Sequence, residues 1–406
     1  MKVVFFSYAY PPLKYPRSIQ VGRLALHSRH DIRVIGCDDA SGRDPTIPGD
    51  APARRLEIVR VPRKVPAIGT PRWLVDRLCV PDVQRSWALE AARRALADCW
   101  LGTADVLVTF GDPMSDHLAG AALKRATGSP WIAHFSDPWA DNPYRRHRWL
   151  TLPVHRALEA RVVAQADRLV FTSPETVDLV MRKYPAAWRG KARVLPHAFD
   201  AALYSRAHAP SPRRILRHVG NFYPPRSPAP LLAALARIAA SGPRLLEGVQ
   251  VDLVGHIDDR VDFRRELAAL PAGLVSVRAP VDYRMSLELM VDADLLFVID
   301  AAFENSVFLP SKLVDYLGAG RPIFAISPPG AAANLVTRLG GWAADPERIG
   351  EIVGGLVAAL SLPDPEEDRP WGDPRVRAEF EAVRIGTQFD AIVDELDQSR
   401  GAPAPA

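Results

Sequence analysis

The constraint that weighs most on this chain is a rhythm. Short, unbroken apolar runs recur through the first half, KVVFFSY, IRVIG, LEIVRV, DVLVTFG, PWIAHFS, RLVFTS and ARVLPHAFD. Stretches with helical spacing separate most of them, near Ile19 to Ser28, Val83 to Trp100 and Asp116 to Ala126, with a long one closing at Gln165. Strands that are apolar on both faces, each followed by a helix, build a parallel sheet covered on both sides. A polar, proline-containing stretch then intervenes, SRAHAPSPRR at 205–214, and the rhythm restarts with ILRHVGN, VQVDLVG, LVSVRAP, DLLFVID, PIFAIS and GWAAD. At 406 residues the chain exceeds the ~250 to 300 at which single cores stop growing. The expected architecture is two doubly wound, Rossmann-like α/β domains facing across a cleft. Their expected bounds are 1–204 and 215–372, with a linker at 205–214, a C-terminal helix over 373–398 that returns to the N-terminal domain, and a frayed tail at 399–406.

Composition narrows the class. No run reaches the ~18 apolar residues of a membrane span, and MKVVFFSYAYPP reads as a strand stopped by Pro-Pro rather than a secretory leader. Cys37, Cys79 and Cys99 are scattered, without metal-ligand spacing, so neither a disulfide framework nor a structural zinc is expected. The expectation is a cytoplasmic protein. Charge is unevenly placed: residues 1–200 hold 30 Lys and Arg against 20 Asp and Glu, whereas 201–406 hold 21 against 27. A basic first half suits an anionic partner such as a membrane surface or a lipid diphosphate. Nucleic acid is not expected, because the repeated aromatic strands that stack bases are missing. The segment PYRRHRWLTLPVHR, with Arg145, Arg146, Arg148, Trp149 and Arg156, reads either as a peripheral membrane contact or as a solvated Arg-rich face.

The most informative local stretch is DLLFVIDAAFENSVFLPSKLVDYLGAGRPIFAI, Asp294 to Ile326. It reads as strand, loop, helix opened by Ser311, glycine stop and second strand. Ligands of open α/β sheets bind beyond the strand carboxyl ends, where helix N-termini point. Lys312 and Asp315, three apart, share a helix face and can hold a diphosphate and a ribose diol in turn; the plain alternative is an i,i+3 ion pair. Neither half carries a GxGxxG turn or a GxxxxGK[ST] loop, which argues against a dehydrogenase or a P-loop NTPase.

Several segments in order resemble GT-B nucleotide-sugar glycosyltransferases, in particular the retaining family 4, and the resemblance runs from YAYPP to the final helix. In YPPLKYPRSIQVGRLA the family's glycine pair is replaced by Tyr15, Pro16 and Arg17, so the resemblance makes Arg17 a substitute donor contact. PWIAHFSDPWADNP looks like the family's strand ending in His. It implies His134 beside the transferred sugar and Asp137 toward the acceptor hydroxyl, in the company of Trp139, with Asp141 and Asn142 as turn formers. In the turn that leads to the linker, His197 and Ala198 replace the usual Asn and Gly. In LRHVGNFYPPRSPAPLLAAL the family's two diphosphate-holding cations map onto Asn221, after Gly220, and Arg226; one charge is lost, and Lys312 is expected to compensate. The family's paired glutamates map onto Val307 and Asp315. Asp315 keeps the ribose contact, while the sugar contact falls to Glu304, to Asn305, or to the backbone near Phe308 and Leu309, and Ser311 is counted among the donor-binding residues. A spelling match to DxD at Asp292 and Asp294 is set aside, because it lies at a buried strand start and DxD enzymes have another fold. What the resemblance implies is sugar transfer with retention from a UDP- or GDP-linked donor to a glycan or lipid-linked acceptor, with no metal required. The rivals are a hydrolysing nucleotide-sugar epimerase on the same fold and an inert sugar-nucleotide or glycan-binding protein.

Overall fold

The computed structural model describes residues 1–39, 42–49, 56–63, 79–102, 104–145, 150–204, 211–361 and 370–401. Contacts divide the chain into two units, one formed by Met1–Pro196 with the chain from Ala382 onward, the other by His197–Glu381. The division falls before the expected linker, whose residues 205–210 lie outside the described residues.

The first unit holds a seven-stranded sheet of β1 (Lys2–Ser7), β2 (Asp31–Asp38), β3 (Leu56–Pro62), β4 (Val106–Gly111), β5 (Trp131–Phe135), β6 (Arg168–Phe171) and β7 (Ala192–Val194). Their order is β3-β2-β1-β4-β5-β6-β7, and every pairing is parallel. All of β4 and β5 is buried, as strands covered on both faces must be. The order reverses between β1 and β4, so the loops leaving those strands diverge and open a crevice at their carboxyl ends. The helix after β1 runs Pro16–His27, three residues earlier than its apolar spacing predicts, because Pro16 supplies a preset φ at the first helical position.

The second unit repeats the plan with β8 (Arg214–Val219), β9 (Val249–Val254), β10 (Val275–Arg278), β11 (Leu295–Ile299), β12 (Ile323–Ile326) and β13 (Trp342–Ala344). The order is β10-β9-β8-β11-β12-β13, again parallel, with its reversal between β8 and β11. A charged pair is buried within this sheet. Arg217 of β8 reaches its register partner Asp252 of β9 at 2.8 Å, and both are nearly inaccessible. Arg217 also donates to Leu289 O, so the buried guanidinium is satisfied on two sides.

The C-terminal helix does return to the first unit, but not as one piece. Asp373 caps a short helix, Pro374–Ala378, through the amides of Arg375 and Val376. The chain then bends, Phe380 O accepts from Phe199 N at 2.9 Å, and a second helix runs Ala382–Gly401. The single helix expected over 373–398 is therefore interrupted, and the helix extends past the expected fray point at 399. The long helix packs on β1 and on the end of Pro16–His27: Phe389 meets Phe5 of β1 edge-on at 5.5 Å, and Asp390 accepts from Ser28 Oγ and Arg29 N just beyond that helix. Gly386 permits the close approach, since a Cβ there would stand 2.3 Å from His27 O.

Candidate functional site

In the second unit the site grows from the switch point between β8 and β11. The helix Ser311–Ala319 follows β11, buries Leu313, Val314, Tyr316 and Leu317, and stops at Gly320, whose φ of 65° is left-handed. Tyr316 ties it to the end of β8, its hydroxyl accepting from Val219 N at 2.9 Å. That fixes where the first turn lies. Lys312 leaves this turn and sets Nζ 3.2 Å from His218 Nε2. His218 is fully buried and its Nδ1 faces Phe297 O at 2.9 Å, so Nδ1 carries the proton and Nε2 accepts from Lys312. Burial, with the Lys312 cation second, holds His218 well below its usual range. Burial first and Arg226 second likewise hold the Lys312 ammonium well below the ordinary lysine range, against the pull of Asp300.

Space for this arrangement depends on Gly220. Its φ is 148°, and a Cβ there would lie 2.4 Å from Lys312 Nζ. Asn221, the residue at the family's arginine position, is turned to the chain itself, its Oδ1 accepting from His256 N at 3.0 Å. Arg226 lies 5.2 Å over the Tyr223 ring and reaches Asp300 Oδ1 at 3.2 Å. Asp300 is in turn held by Ser306 Oγ at 2.6 Å and Ala301 N at 2.9 Å. Gly220, Arg226, Lys312 and Ser311 are thus brought to one place, around the start of the Ser311–Ala319 helix, where Pro310 at the N-cap provides no side-chain cap. Leu313 N donates to Pro310 O at 2.9 Å; a helix start without a side-chain cap, beside two basic side chains, is an arrangement able to meet an anion.

Asp315 lies one turn on and is 6% exposed. Its Oδ1 accepts from the Tyr204 hydroxyl at 2.9 Å, and Lys312 turns to His218. The Tyr204 ring lies over Gly318, where a Cβ would meet it at 2.4 Å. Glu304 and Asn305 are exposed, and Val307 is half-buried. The side chains of Phe308 and Leu309 are buried. Ser306 pins this loop against Gly330, with Ser306 N on Pro329 O at 2.8 Å and Ala331 N on Ser306 O at 3.0 Å. Asp294 Oδ2 accepts from Ile215 N at 2.6 Å and Asp292 follows the helix Tyr283–Val291, so the DxD spelling serves strand and helix ends.

In the first unit, His134 stands near the end of β5, in register with Phe110 of β4. Arg17, in the first turn of Pro16–His27, donates from Nη2 to His134 Nδ1 at 2.8 Å and to His134 O at 2.9 Å. Its guanidinium lies 5.3 Å over the Phe110 ring, which is 5.4 Å from the His134 ring. Burial lowers Arg17 to about 10, while Asp137, Asp112 and Asp116 pull the other way, so it stays charged at neutral pH. Asp137 is half-buried beside this cluster and acts on both Arg17 and Arg145. Arg145 pairs with Asp112. Asp116, fully buried, accepts Tyr8 N at 2.7 Å, and burial pushes its carboxyl well up.

Trp139 does not face a ligand. It is 1% exposed and its Nε1 donates to His155 Nδ1 at 3.0 Å, which makes it core. Asp141 pairs with Lys183 at 2.7 Å, and Asn142 Oδ1 accepts Tyr144 N at 2.9 Å, so both shape the turn. Of the basic segment, 146–149 lie outside the described residues. Among those described, no helix is long and apolar enough to cross a membrane. Sequence reasoning missed His218, Asp300, Tyr204, Asp112 and Asp116. The readable trace of the first two was polar residues inside or ending the otherwise apolar runs ILRHVGN and DLLFVID.

Residues 21–198 match the Glycosyl transferase 4-like domain. Over 126 residues the chain is 32% identical to the D-inositol 3-phosphate glycosyltransferase of Geodermatophilus obscurus, an alignment spanning 29% of this chain and 28% of that protein. Among solved structures, sucrose-phosphate synthase from Thermosynechococcus elongatus superposes with a TM-score of 0.70 at 15% identity, covering 98% of this chain and 100% of that one. Anabaena HepE in complex with UDP gives 0.61 at 15% identity, covering 97% and 100%. These likenesses establish a GT-B fold of two Rossmann-like units.

Proposed function

We propose that the protein, whose residues 21–198 match the Glycosyl transferase 4-like domain and whose fold is GT-B, transfers a sugar from a UDP- or GDP-linked donor to a glycan or lipid-linked acceptor, with retention. The observation that carries this reading is the convergence of Lys312 and Arg226 with the Gly220 turn at the open start of the Ser311–Ala319 helix. When the bond between sugar and diphosphate breaks, negative charge builds on the departing phosphate oxygens. Two cations and helix amides placed beforehand stabilise that charge more than they stabilise the bound donor, and this difference is catalysis. Asp315, one turn along, takes the ribose hydroxyls, sharing its carboxylate with Tyr204. His134 meets the transferred sugar and Asp137 accepts the proton of the attacking hydroxyl. Front-face attack on an oxocarbenium-like centre needs no enzymic nucleophile, which fits a site whose chemistry rests on Lys, Arg, His and Asp.

Incubation with a panel of UDP- and GDP-sugars, with and without lipid-linked acceptors, tests the reading through nucleotide release. Release that depends on acceptor is the expected result. Release without acceptor would instead indicate a hydrolysing epimerase, and donor binding without release an inert binding protein.

A further inference from the structure

Arg226, Lys312 and His218 bring three basic side chains to the turn at Gly220, all of them within the second unit. We propose that an anion of the diphosphate class arriving at the start of the Ser311–Ala319 helix draws a proton from solvent onto the Lys312 amine, which neutral His218 holds in place, so that donor binding is coupled to proton uptake. The donor named here rests on the proposed function; the coupling of anion and proton does not.

Charge at this turn does not balance. Asp300 is engaged by Arg226 at 3.2 Å, by Ser306 Oγ at 2.6 Å and by Ala301 N at 2.9 Å. Lys312 Nζ meets a neutral ring instead, 3.2 Å from His218 Nε2, and among the described residues it pairs with no carboxylate. On its own helix Asp315 accepts from Tyr204, and the Tyr316 hydroxyl is tied to Val219. On the neighbouring elements Arg217 of β8 is bound to Asp252, and Glu288 of Tyr283–Val291 faces Arg284 at 3.4 Å. An ammonium at Lys312 is therefore a second positive charge beside Arg226 against one carboxylate. Burial and Arg226 push its proton off, and an anion at the helix start reverses both costs.

His218 cannot take that proton in its place. Its Nδ1 donates to Phe297 O at 2.9 Å, its ring lies 4.4 Å from that of Phe222, and it is fully buried. A proton on Nε2 would set one N–H against another. Lys312 is only half-buried, so solvent and ligand reach the amine but not the ring. An ammonium has three N–H groups. One goes to His218 and two remain for phosphate oxygens, which makes His218 a positioning residue and gives Lys312 its charge before the bond to the sugar breaks.

The full-length protein with 13C at the lysine Cε and 15N in the histidine rings tests this. The chain has seven lysines, and Lys312→Arg identifies the Lys312 signal. In the free protein that signal should titrate well below the ordinary lysine range, and saturating inorganic pyrophosphate should raise its midpoint by about one pH unit or more, as an opposite charge within about 4 to 6 Å does. Calorimetry with UDP- and GDP-sugars, whose diphosphates have no proton to lose near neutrality, is run in buffers of different ionisation heat. It should show proton uptake in the wild type and none in Lys312→Arg, whose guanidinium is always charged. Wild-type affinity should fall as pH rises between the two midpoints, by up to about tenfold per pH unit. A free-protein midpoint in the ordinary lysine range, a midpoint unmoved by pyrophosphate, donor binding without proton uptake, or a His218 ring that pyrophosphate turns to its charged form would each overturn the proposal. Lack of turnover with every donor would sink the proposed function instead, since the lysine signal is read with pyrophosphate alone.

Discussion

At the carboxyl end of the first sheet Asp82, Asp112, Asp116 and Asp137 gather around Arg17 and Arg145. At the corresponding end of the second sheet Lys312 and Arg226 meet Asp300. The balance over the two halves of the sequence runs the other way, with 30 basic against 20 acidic residues in 1–200 and 21 against 27 in 201–406. Surface charges set the net balance and are screened within about 10 Å at 0.1 M salt, whereas a few buried groups set the potential at a site. The acidic half therefore carries the proposed anion site, and the basic half carries a polarised cluster built around one histidine.

The contrast breaks most severely at Lys312. Lys312→Met should lower kcat/KM by about 100-fold or more, the scale of losing one preorganised charge partner in a transition state. The same change should raise stability. The folded state holds Lys312 below its unfolded value near 10.4, so between the two values the unfolded chain binds a proton that the folded chain does not, and stability rises with pH. Removing the lysine removes that penalty. Melting temperatures of wild type and Lys312→Met should differ most at the low end of the pH range in which both fold, and converge as pH approaches about 10.

Gly220→Ala attacks the same site through the backbone. A Cβ 2.4 Å from Lys312 Nζ, at a φ of 148°, both displaces the ammonium and strains the turn. Turnover should fall about 10- to 100-fold, and denaturant unfolding should show a loss of about 1 to 3 kcal/mol.

The first unit is distinguished by acid sensitivity. Burial lowers His117 to about 3, so between an unfolded value near 6.5 and about 3 the unfolded chain takes the extra proton and stability is lost as pH falls, by up to about 1.4 kcal/mol per pH unit. His218 adds a slope of the same sign from the second unit. His117→Gln should therefore flatten part of the acid slope in pH-dependent unfolding and leave the rest.

The smallest effect is expected at Tyr204. Tyr204→Phe removes one hydrogen bond to Asp315, costs about 1 kcal/mol in unfolding, and should leave nucleotide affinity within about threefold. Asp315→Ala should weaken that affinity by about 10-fold, as loss of a charged hydrogen-bond partner does; a loss by calorimetry in Tyr204→Phe with none in Asp315→Ala would place Tyr204, not Asp315, at the ribose.

Much of this was legible in the chain. Unbroken apolar runs fixed the parallel sheets, because a strand covered on both faces has no polar side to show, and β4 and β5 are buried throughout. Lys312 and Asp315 could be placed because the apolar positions Leu313, Val314 and Leu317 set the helix face and Gly320 set its end. Their partners could not. His218 and Tyr204 are 94 and 111 residues away from them, brought in by the fold. The same holds for Arg17 and His134, 117 residues apart, which local pattern cannot pair. The break at Phe380 was hidden as well, because helical spacing continues through it and the deciding bond comes from Phe199.

Calorimetric binding of UDP and GDP to three proteins tests the central claim most directly: the wild type, the Lys312→Met/Arg226→Met double variant, and Arg17→Met. The account predicts at least one nucleoside diphosphate whose affinity falls about 100-fold or more in the double variant, consistent with two lost charge-assisted contacts, and stays within about threefold in Arg17→Met. Unchanged affinity in the double variant, or an equal loss in Arg17→Met, would contradict it.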